Sequence, residues 1–119
     1  MPKPVGINLA QKLSLFSEHW SPKIVATYNE NDIMVVKFEG EFPMHKHDDT
    51  DDFFLVLEGH ITIETEDGDV ELAPGELYVV PKGVMHRPIT RGEAKILLIE
   101  PKGEPNSGDA ATAARKGKI

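Results

Sequence analysis

Three of the five histidines have a spacing that could hold a metal ion. His45 and His47 are two residues apart behind a predicted strand, and in extended backbone both imidazoles then leave the same face of a sheet. His86 comes much later, just after a turn at Pro81-Lys82-Gly83. The chain has no cysteine, so a tight transition-metal site has to combine histidine nitrogens with carboxylate oxygens.

Asp52 is the carboxylate that the sequence would bring to these histidines. The polar stretch Asp48 to Asp51 has the length of a hairpin loop, which would place Asp52 at the start of the antiparallel strand beside His47. Three neutral imidazoles and one anion suit Mn, Fe, Co, Ni, Cu or Zn better than Ca or Mg, which prefer oxygen ligands. We therefore predict one divalent transition metal ion at His45, His47, Asp52 and His86.

The other histidines and the neighbouring acids have no such arrangement. His19 comes before a Ser-Pro break and His60 follows a turn glycine, so each is predicted to be a solvated or packing residue. Asp48, Asp49 and Asp51 lack the glycine and the terminal glutamate of an EF-hand loop. This acidic cluster is therefore predicted to be a solvated loop end and no calcium site.

The elements that must position these residues are short strands separated by turns. Asn29-Glu30-Asn31, Asp67-Gly68 and Pro74-Gly75 are strong turn signals. Because no helices intervene, the pattern predicts an all-β fold, a closed antiparallel sandwich or barrel, since closure removes exposed strand edges. The predicted strands are Lys23 to Tyr28, Asp32 to Glu39, Phe53 to Leu57, Ile61 to Thr65, Val70 to Leu72, Leu77 to Val80, one that starts at His86, and Ala94 to Glu100.

Length and composition limit the classes of partner. A chain of 119 residues suits one domain, and its net charge of −7 disfavours nucleic acid and anionic membrane surfaces as partners. No stretch approaches membrane-spanning length and the start has no signal-peptide pattern, so we expect a cytoplasmic protein.

Three segments are predicted along the chain. Residues 1–22 form an N-terminal arm with a short helix that Asn8 caps and that runs through Phe16. Residues 23–101 form the barrel. Residues 102–119 form a flexible C-terminal tail, because their Gly, Pro, Asn, Ser and Ala content cannot bury enough apolar surface, with a frayed helical turn at Ala110 to Arg115.

Two stretches resemble the motifs of the cupin superfamily. GEFPMHKHDDTDDFFLVLEG, from Gly40 to Gly59, is similar to the first motif, and GELYVVPKGVMHRPIT, from Gly75 to Thr90, is similar to the second. The resemblance implies a double-stranded β-helix, or jelly-roll barrel, of the small single-domain type often described as mannose-6-phosphate-isomerase-like. It also implies that His45, His47 and His86 bind a metal ion.

The sequence departs from the motifs at several positions. Gly40 precedes His45 by one residue fewer than the commonest spacing, and Thr90 stands where the family usually has Asn. Asp52 stands where the family usually has Glu, and its side chain is one methylene shorter. Asp52 therefore either binds the metal directly or accepts a hydrogen bond that orients an imidazole.

Three functions are compatible with such a site, and no catalytic residue can be named. A shell of three histidines and one carboxylate leaves two open positions in octahedral coordination, which favours a dioxygenase-like oxidoreductase acting on a small chelating molecule. A sugar isomerase or epimerase, or a non-catalytic small-molecule binding module, are the alternatives. Phe54, Val56 and Tyr78 are candidates for the cavity wall. The resemblance to small cupins also implies a homodimer, and Ile7 to Val25 could add a strand to a neighbour's sheet.

Overall fold

The computed structural model describes residues 3–105, 107 and 116–119. These residues form one short helix and eight strands, and no helix among them is long and apolar enough to cross a membrane. The elements are α1 (Leu9–Leu13), β1 (Lys23–Tyr28), β2 (Asn31–Glu41), β3 (Asp52–Glu58), β4 (Ile61–Thr65), β5 (Gly68–Leu72), β6 (Leu77–Val80), β7 (His86–Pro101) and β8 (Gly117–Lys118).

The strands form one continuous sheet that β7 holds together. This 16-residue strand pairs with β2, β3 and β4, and β3 pairs in turn with β6. The sheet order is β5-β4-β7-β2-β1-β8, with β3 and β6 branching from β7. The predicted all-β architecture is confirmed, except that the sheet is mixed, because β1 and β8 run parallel.

The predicted strands agree closely with the observed ones. Ile61–Thr65 and Leu77–Val80 are β4 and β6 as predicted, and the turn at Asn29 separates β1 from β2. The two predicted strands beyond His86 are one long strand. Gly59, in the turn after β3, has φ +86, and a Cβ there would lie 2.9 Å from the Cα of Ala94. This turn packs directly on the backbone of β7.

Alternate residues of the strands face the interior. In β3 the burial alternates along the strand, with Phe54 and Val56 buried and their neighbours partly exposed, as period-two geometry requires. The interior cluster consists of Met34, Val36, Phe38, Phe54, Val56, Ile61, Ile63, Leu72, Val80, Ala94, Ile96 and Leu98.

The outer face of the sheet also carries an apolar row, which we call the outer row. Its members are opposite one another on β6, β3, β7 and β2, and Leu77 is 53% exposed. A second pair of apolar residues, Val79 and Phe53, lies beside it. The outer row consists of Leu77, Leu55, Leu97 and Val35.

The arm and the tail contact the barrel. Asn8 caps α1 as predicted, accepting a hydrogen bond from the Gln11 amide at 3.0 Å, but the helix ends at Leu13. Where the structure describes the tail, β8 pairs with β1 and the Ile119 amide donates to the Ile24 carbonyl at 3.0 Å. This backbone pairing needs no large apolar surface, and the flexibility of residues 102–119 stays a prediction. The predicted helical turn at 110–115 lies outside the described residues.

Candidate metal centre

The two histidine motifs are joined by backbone hydrogen bonds. The amide of His45 donates to the carbonyl of His86 at 3.0 Å, and the amide of His86 donates to the carbonyl of His45 at 2.9 Å. The amide of Gly83 donates to the carbonyl of His47 at 2.8 Å. The turn that precedes β7 therefore lies alongside the segment that carries the first two histidines.

The predicted hairpin between His47 and Asp52 is wrong. Asp52 begins β3, whose partners are β6 and β7, and its opposite residue is Val80. The polar stretch Asp48 to Asp51 joins two segments that pair with different parts of the chain, His45 with His86 and Asp52 with Val80. The carboxylate of Asp51 accepts a hydrogen bond from the Lys82 amide at 3.0 Å. Loop length indicated a reversal of the chain, but in a closed barrel the partner of the returning strand is decided by the whole sheet.

Asp52 nevertheless reaches all three predicted ligands. Its Oδ2 lies 2.7 Å from Nε2 of His86, 3.2 Å from Nε2 of His47 and 3.9 Å from Nε2 of His45. One ligand atom from each of the four residues lies within 4.8 Å of the others. All four side chains are almost completely shielded from solvent, and Asp52 is 4% exposed. The structure therefore brings together the whole set that the sequence predicted.

Each imidazole places its other nitrogen against a hydrogen-bond acceptor. Because a carbonyl or carboxylate oxygen cannot donate, each Nδ1 carries the proton and donates it, and Nε2 of a neutral ring keeps its lone pair. The three Nε2 atoms face the same carboxylate oxygen of Asp52, with that of His86 at hydrogen-bonding distance, 2.7 Å, and that of His47 at 3.2 Å. The acceptors are the carbonyl of Pro43 for His45 (2.9 Å), the carboxylate of Glu104 for His47 (2.9 Å) and the carbonyl of Val84 for His86 (2.8 Å).

The electrostatics of the cluster favour a positive charge at its centre. Burial disfavours the imidazolium form of His47, but the hydrogen bonding and charge of Asp52 and the contact with Glu104 outweigh burial and raise the pKa of His47 to about 9. Burial also opposes the ionised form of Asp52, yet the three facing imidazoles hold the pKa of that carboxyl well below its usual range. Protons or a metal cation can supply the charge that these groups require.

Two further carboxylates near the site were not predicted. Glu104 belongs to the tail, and Glu100, at the end of β7, is 3% exposed. Burial, together with the nearby charge of Asp52, raises the pKa of Glu100. Their charge gave no signal in the sequence, but Pro101-Lys102-Gly103 repeats the tripeptide of the Pro81 turn and could have indicated that the chain turns back at this point.

A cavity opens beside His45 and Asp52. It is partly open to solvent, and aromatic and aliphatic side chains form most of its wall. Phe54 lines it as predicted, whereas Val56 lies in the buried core and Tyr78 packs against that core. The wall consists of Trp20, Pro22, Val36, Phe38, Phe42, His45, Asp52, Phe54, Pro88, Leu98 and Glu100.

The remaining histidines lie away from the cluster. His19 contacts the carboxylates of Glu39 at 3.4 Å and Glu93 at 2.8 Å, and His60 lies 3.4 Å from a carboxylate oxygen of Glu71. Asp48 and Asp49 are exposed. These positions agree with the solvated or packing roles predicted for them.

Comparison with known proteins assigns the fold to a family. The chain is similar to a cupin-2 domain containing protein from Shewanella frigidimarina, with 48% identity, a TM-score of 0.79 and coverage of 81% of this chain and 94% of that one. It is also similar in fold to the hydroquinone 1,2-dioxygenase PnpCD, solved with Cd²⁺ and 4-hydroxybenzonitrile, with 16% identity, a TM-score of 0.69 and coverage of 87% and 81%.

A curated relative and a family match complete the comparison. The uncharacterized protein YdbB of Bacillus subtilis is 33% identical over 64 residues, which are 53% of this chain and 57% of that protein. The chain thus spans little more than half the length of that relative. The cupin domain family matches residues 32–100, which include both histidine motifs. The chain belongs to the cupin domain family.

Proposed function

We propose that His45, His47, Asp52 and His86 bind one divalent transition metal ion and that the protein is a metal-dependent enzyme of the oxidoreductase class. The observation that carries the proposal is the orientation of the three imidazoles. Each Nδ1 has an acceptor, and the three Nε2 atoms converge on a buried carboxylate oxygen. A metal cation among these donors would stabilise the arrangement, because it would supply positive charge beside a buried carboxylate.

The donor set fits the chemistry of Mn, Fe, Co, Ni, Cu or Zn. Nitrogen and carboxylate donors suit these ions, and a four-residue set leaves coordination positions for other molecules. A bound ion of this kind would act as a Lewis acid toward a substrate oxygen. In this proposal the three histidines hold the ion and Asp52 binds it directly, neutralising part of its charge. Of the two roles considered for Asp52, this is the direct one and not the orientation of an imidazole.

The cavity wall indicates the substrate class. Trp20, Phe38, Phe42 and Phe54 supply aromatic surface, and the polar groups are confined to His45, Asp52 and Glu100. A sugar would leave most of its hydroxyl groups without partners against this wall, whereas a small aromatic molecule would bury its ring there and present an oxygen to the ion. The wall therefore favours a dioxygenase-like reaction on a small, oxygen-bearing aromatic compound. The likeness to the hydroquinone dioxygenase adds the fold alone, so the proposal rests on the wall.

A metal-dependent isomerase is the second candidate, and Glu100 is the residue that favours it. Isomerisation of a hydroxy-carbonyl compound needs a group that moves a proton, and Glu100 is a buried carboxyl in the cavity wall. The apolar wall argues against a sugar as its substrate. A small hydroxy-ketone with an apolar body would satisfy both observations.

Metal content tests the first step of the proposal. The protein is purified without chelator or histidine tag, and its bound metals are quantified by mass spectrometry beside the variants His86→Ala and His60→Ala. We expect about one transition metal ion per chain in the native protein and in His60→Ala, and loss of the ion in His86→Ala. Native stoichiometry in His86→Ala would contradict the ligand assignment.

Turnover separates an enzyme from a binding module. The metal-free protein is loaded anaerobically with Fe(II), and oxygen uptake is followed with catechols, hydroquinones, diketones and thiols. Consumption of oxygen with an aromatic diol supports the oxidoreductase. Interconversion of a hydroxy-ketone without oxygen uptake supports the isomerase. A fully loaded protein that turns over none of these compounds favours a small-molecule binding module.

We further propose that the protein is a homodimer through the outer row. Leu77 and Val79 are exposed on β6, which pairs only with β3 among the described strands. The partly exposed Leu55 and Leu97 continue this apolar surface onto β3 and β7, whereas Val35 on β2 is buried. An apolar sheet face of this extent is stabilised by contact with an identical face. Light scattering at micromolar concentration should give the dimer mass, and Leu77→Glu should give the monomer. A monomeric native protein would refute this proposal.

The cytoplasmic location and the lack of nucleic-acid partners remain proposals that rest on composition. The net charge is −7 and the chain has no cysteine. Repulsion from phosphate should leave duplex DNA unbound at physiological salt, which a gel-shift assay measures. Recovery of the native protein in the soluble cytoplasmic fraction of its host would support the location.

A further inference from the structure

We infer that Glu104 is a positioning residue of the metal centre, supplied by a segment outside the residues that match the cupin family. The carboxylate of Glu104 accepts the Nδ1 proton of His47 at 2.9 Å. The inference rests on the proposed metal centre, because it concerns the orientation of one of its ligands. Glu104 itself faces the ring nitrogen that points away from the cluster.

His47 differs from the other two histidines in how its ring is held. His45 and His86 each donate Nδ1–H to the backbone carbonyl of the residue two positions before, which are Pro43 and Val84. These acceptors come with the local backbone and depend on no side chain. His47 instead depends on a carboxylate 57 residues away in the chain. Of the three rings, it alone has an Nδ1 acceptor that a side-chain substitution can remove.

A tight turn brings Glu104 to this position. The Glu104 amide donates to the Pro101 carbonyl at 3.2 Å, and Gly103 has φ +83, which a glycine adopts without steric cost. The Lys102 amide donates to the Glu30 carbonyl at 3.0 Å and fixes the turn on the barrel. At the site, the side chain of His47 is 2% exposed and that of Glu104 is 19% exposed. Water is largely kept away from the contact.

Lys116 fastens the same segment a second time. Its ammonium group lies 3.0 Å from the buried carboxylate of Glu100 and also donates to the backbone carbonyl of Glu104. Lys116 is followed by β8, which pairs with β1. Glu104 is therefore held by its own turn, by Lys116 and by its contact with His47.

This network has a specific consequence for the ligand. An acceptor on Nδ1 fixes the tautomer, keeps the Nε2 lone pair free for the ion and, being anionic, makes Nε2 a stronger donor. Without it, the His47 ring can rotate or carry its proton on Nε2, where it opposes metal binding. Outer carboxylates of this kind change metal affinity by roughly 10- to 100-fold in other sites.

Cobalt titration of matched variants tests the inference. Co²⁺ is titrated into the metal-free full chain, and its visible absorption reports both affinity and coordination. Glu104→Leu removes the acceptor at similar volume, and Glu104→Gln keeps an acceptor but removes the charge. We expect about 10- to 100-fold weaker binding and an altered spectrum in Glu104→Leu, and a smaller loss in Glu104→Gln.

The chain offers a matched control in the pair of His19 and Glu93. Their contact is also a histidine–carboxylate contact, 2.8 Å long, but it lies on the surface away from the cluster. Glu93→Leu should leave Co²⁺ affinity unchanged. A second readout is the ¹H–¹⁵N spectrum of the Zn²⁺-loaded protein, in which the slowly exchanging Nδ1 proton of His47 should be present in the native chain and lost in Glu104→Leu.

The possible results are distinct. If the native chain binds no Co²⁺, the metal centre itself is refuted and the role of Glu104 falls with it. If the native chain binds Co²⁺ and both Glu104 variants match it in affinity and spectrum, the positioning role alone is refuted. If Glu104→Leu does not fold, Glu104→Gln decides: a weakened affinity with an unchanged melting temperature of the metal-free protein supports the role, and native affinity refutes it.

Discussion

The barrel and its two flanking segments contribute different parts of the candidate site. The four proposed ligands lie within the residues that match the cupin family, and their positions are set by strands and by backbone bonds. Trp20 in the cavity wall comes from the arm, and Glu104, behind His47, comes from the tail. The barrel supplies the proposed metal chemistry, and the flanks shape what surrounds it.

This division indicates how small cupins with the same ligands can differ. Substitution of a metal ligand should remove the proposed chemistry. Substitution in the arm should instead change the cavity wall, and substitution in the tail should change how the His47 ring is held. Substitutions in the barrel and in the flanks should therefore have separable effects on metal binding, stability and ligand affinity.

Removal of a barrel ligand should have the largest effect. His86→Ala deletes the ring that lies 2.7 Å from Asp52, and it should lower Co²⁺ affinity by more than about 100-fold, the upper range for outer-shell carboxylates. The measurement is the same visible titration. Trp20 is the only tryptophan, and its ring centroid lies 5.1 Å from that of Phe42, which in turn contacts His45, so its fluorescence gives an independent signal. A Co²⁺ affinity of His86→Ala within tenfold of the native value would show that the barrel histidine is not a ligand.

A substitution in the turn after β3 should have the next largest effect, which is a loss of stability. Gly59→Ala places a Cβ 2.9 Å from backbone atoms of Glu93 and Ala94 at a φ of +86, and should lower the free energy of unfolding by about 2 to 5 kcal/mol. Gly75→Ala is the control, because its φ is +85 but open space surrounds it, and it should cost about 1 to 2 kcal/mol. Urea unfolding measures both. Equal costs would show that the close approach of the turn to β7 is unimportant.

A wall residue from the arm should affect the organic ligand and leave the metal bound. Trp20 stacks on Phe38 with ring centroids 4.4 Å apart and lines the cavity. Trp20→Ala should weaken binding of 4-nitrocatechol by about 3- to 10-fold through lost aromatic contact, with Co²⁺ affinity within about twofold of the native value. Tyr28→Ala, at an exposed aromatic residue, should change neither affinity. Equal catechol affinity in both variants would remove Trp20 from the binding site.

The smallest effect is expected at a histidine outside the cluster. His60 is exposed, and its contact with Glu71 at 3.4 Å lies on the surface, where such pairs contribute about 0 to 1 kcal/mol. His60→Ala should therefore keep native Co²⁺ affinity and nearly native stability. A clear loss of metal in this variant would mean that the surface histidines compete with the barrel site.

The sequence was sufficient where local chemistry decides the structure. Period-two alternation in Ile61 to Thr65 and the turn at Asp67-Gly68 predicted β4 and β5, and the cupin motifs predicted the four residues that meet at the site. The strand and turn signals depend on residue types within a few positions of one another, and the four site residues follow from the resemblance to two separate family motifs. The register of the sheet depends on residues far apart in the chain, and for that reason the predicted pairing of Asp52 beside His47 was wrong.

The cap of α1 at Asn8 was predicted, but the contacts of the two flanks with the barrel could not be, for the same reason. The tail is poor in apolar residues, which indicated disorder, yet Glu104 and Lys116 are held by hydrogen bonds and charge to groups far away in the chain. Trp20 has φ +60, a conformation that no sequence pattern indicates for tryptophan. Only the repeated Pro-Lys-Gly tripeptide carried a local signal that the chain returns toward the barrel after β7.

The two backbone hydrogen bonds between His45 and His86 make this scaffold suitable for replacing the metal-binding side chains by other residue types. Those bonds use peptide groups that every amino acid except proline carries, so the spacing of the two Cα atoms is independent of the side chains attached to them. A library that varies both positions, proline excluded, would keep the architecture while presenting thiolate, carboxylate or amide donors. The metal preference of such a library could then be surveyed as a function of donor type alone.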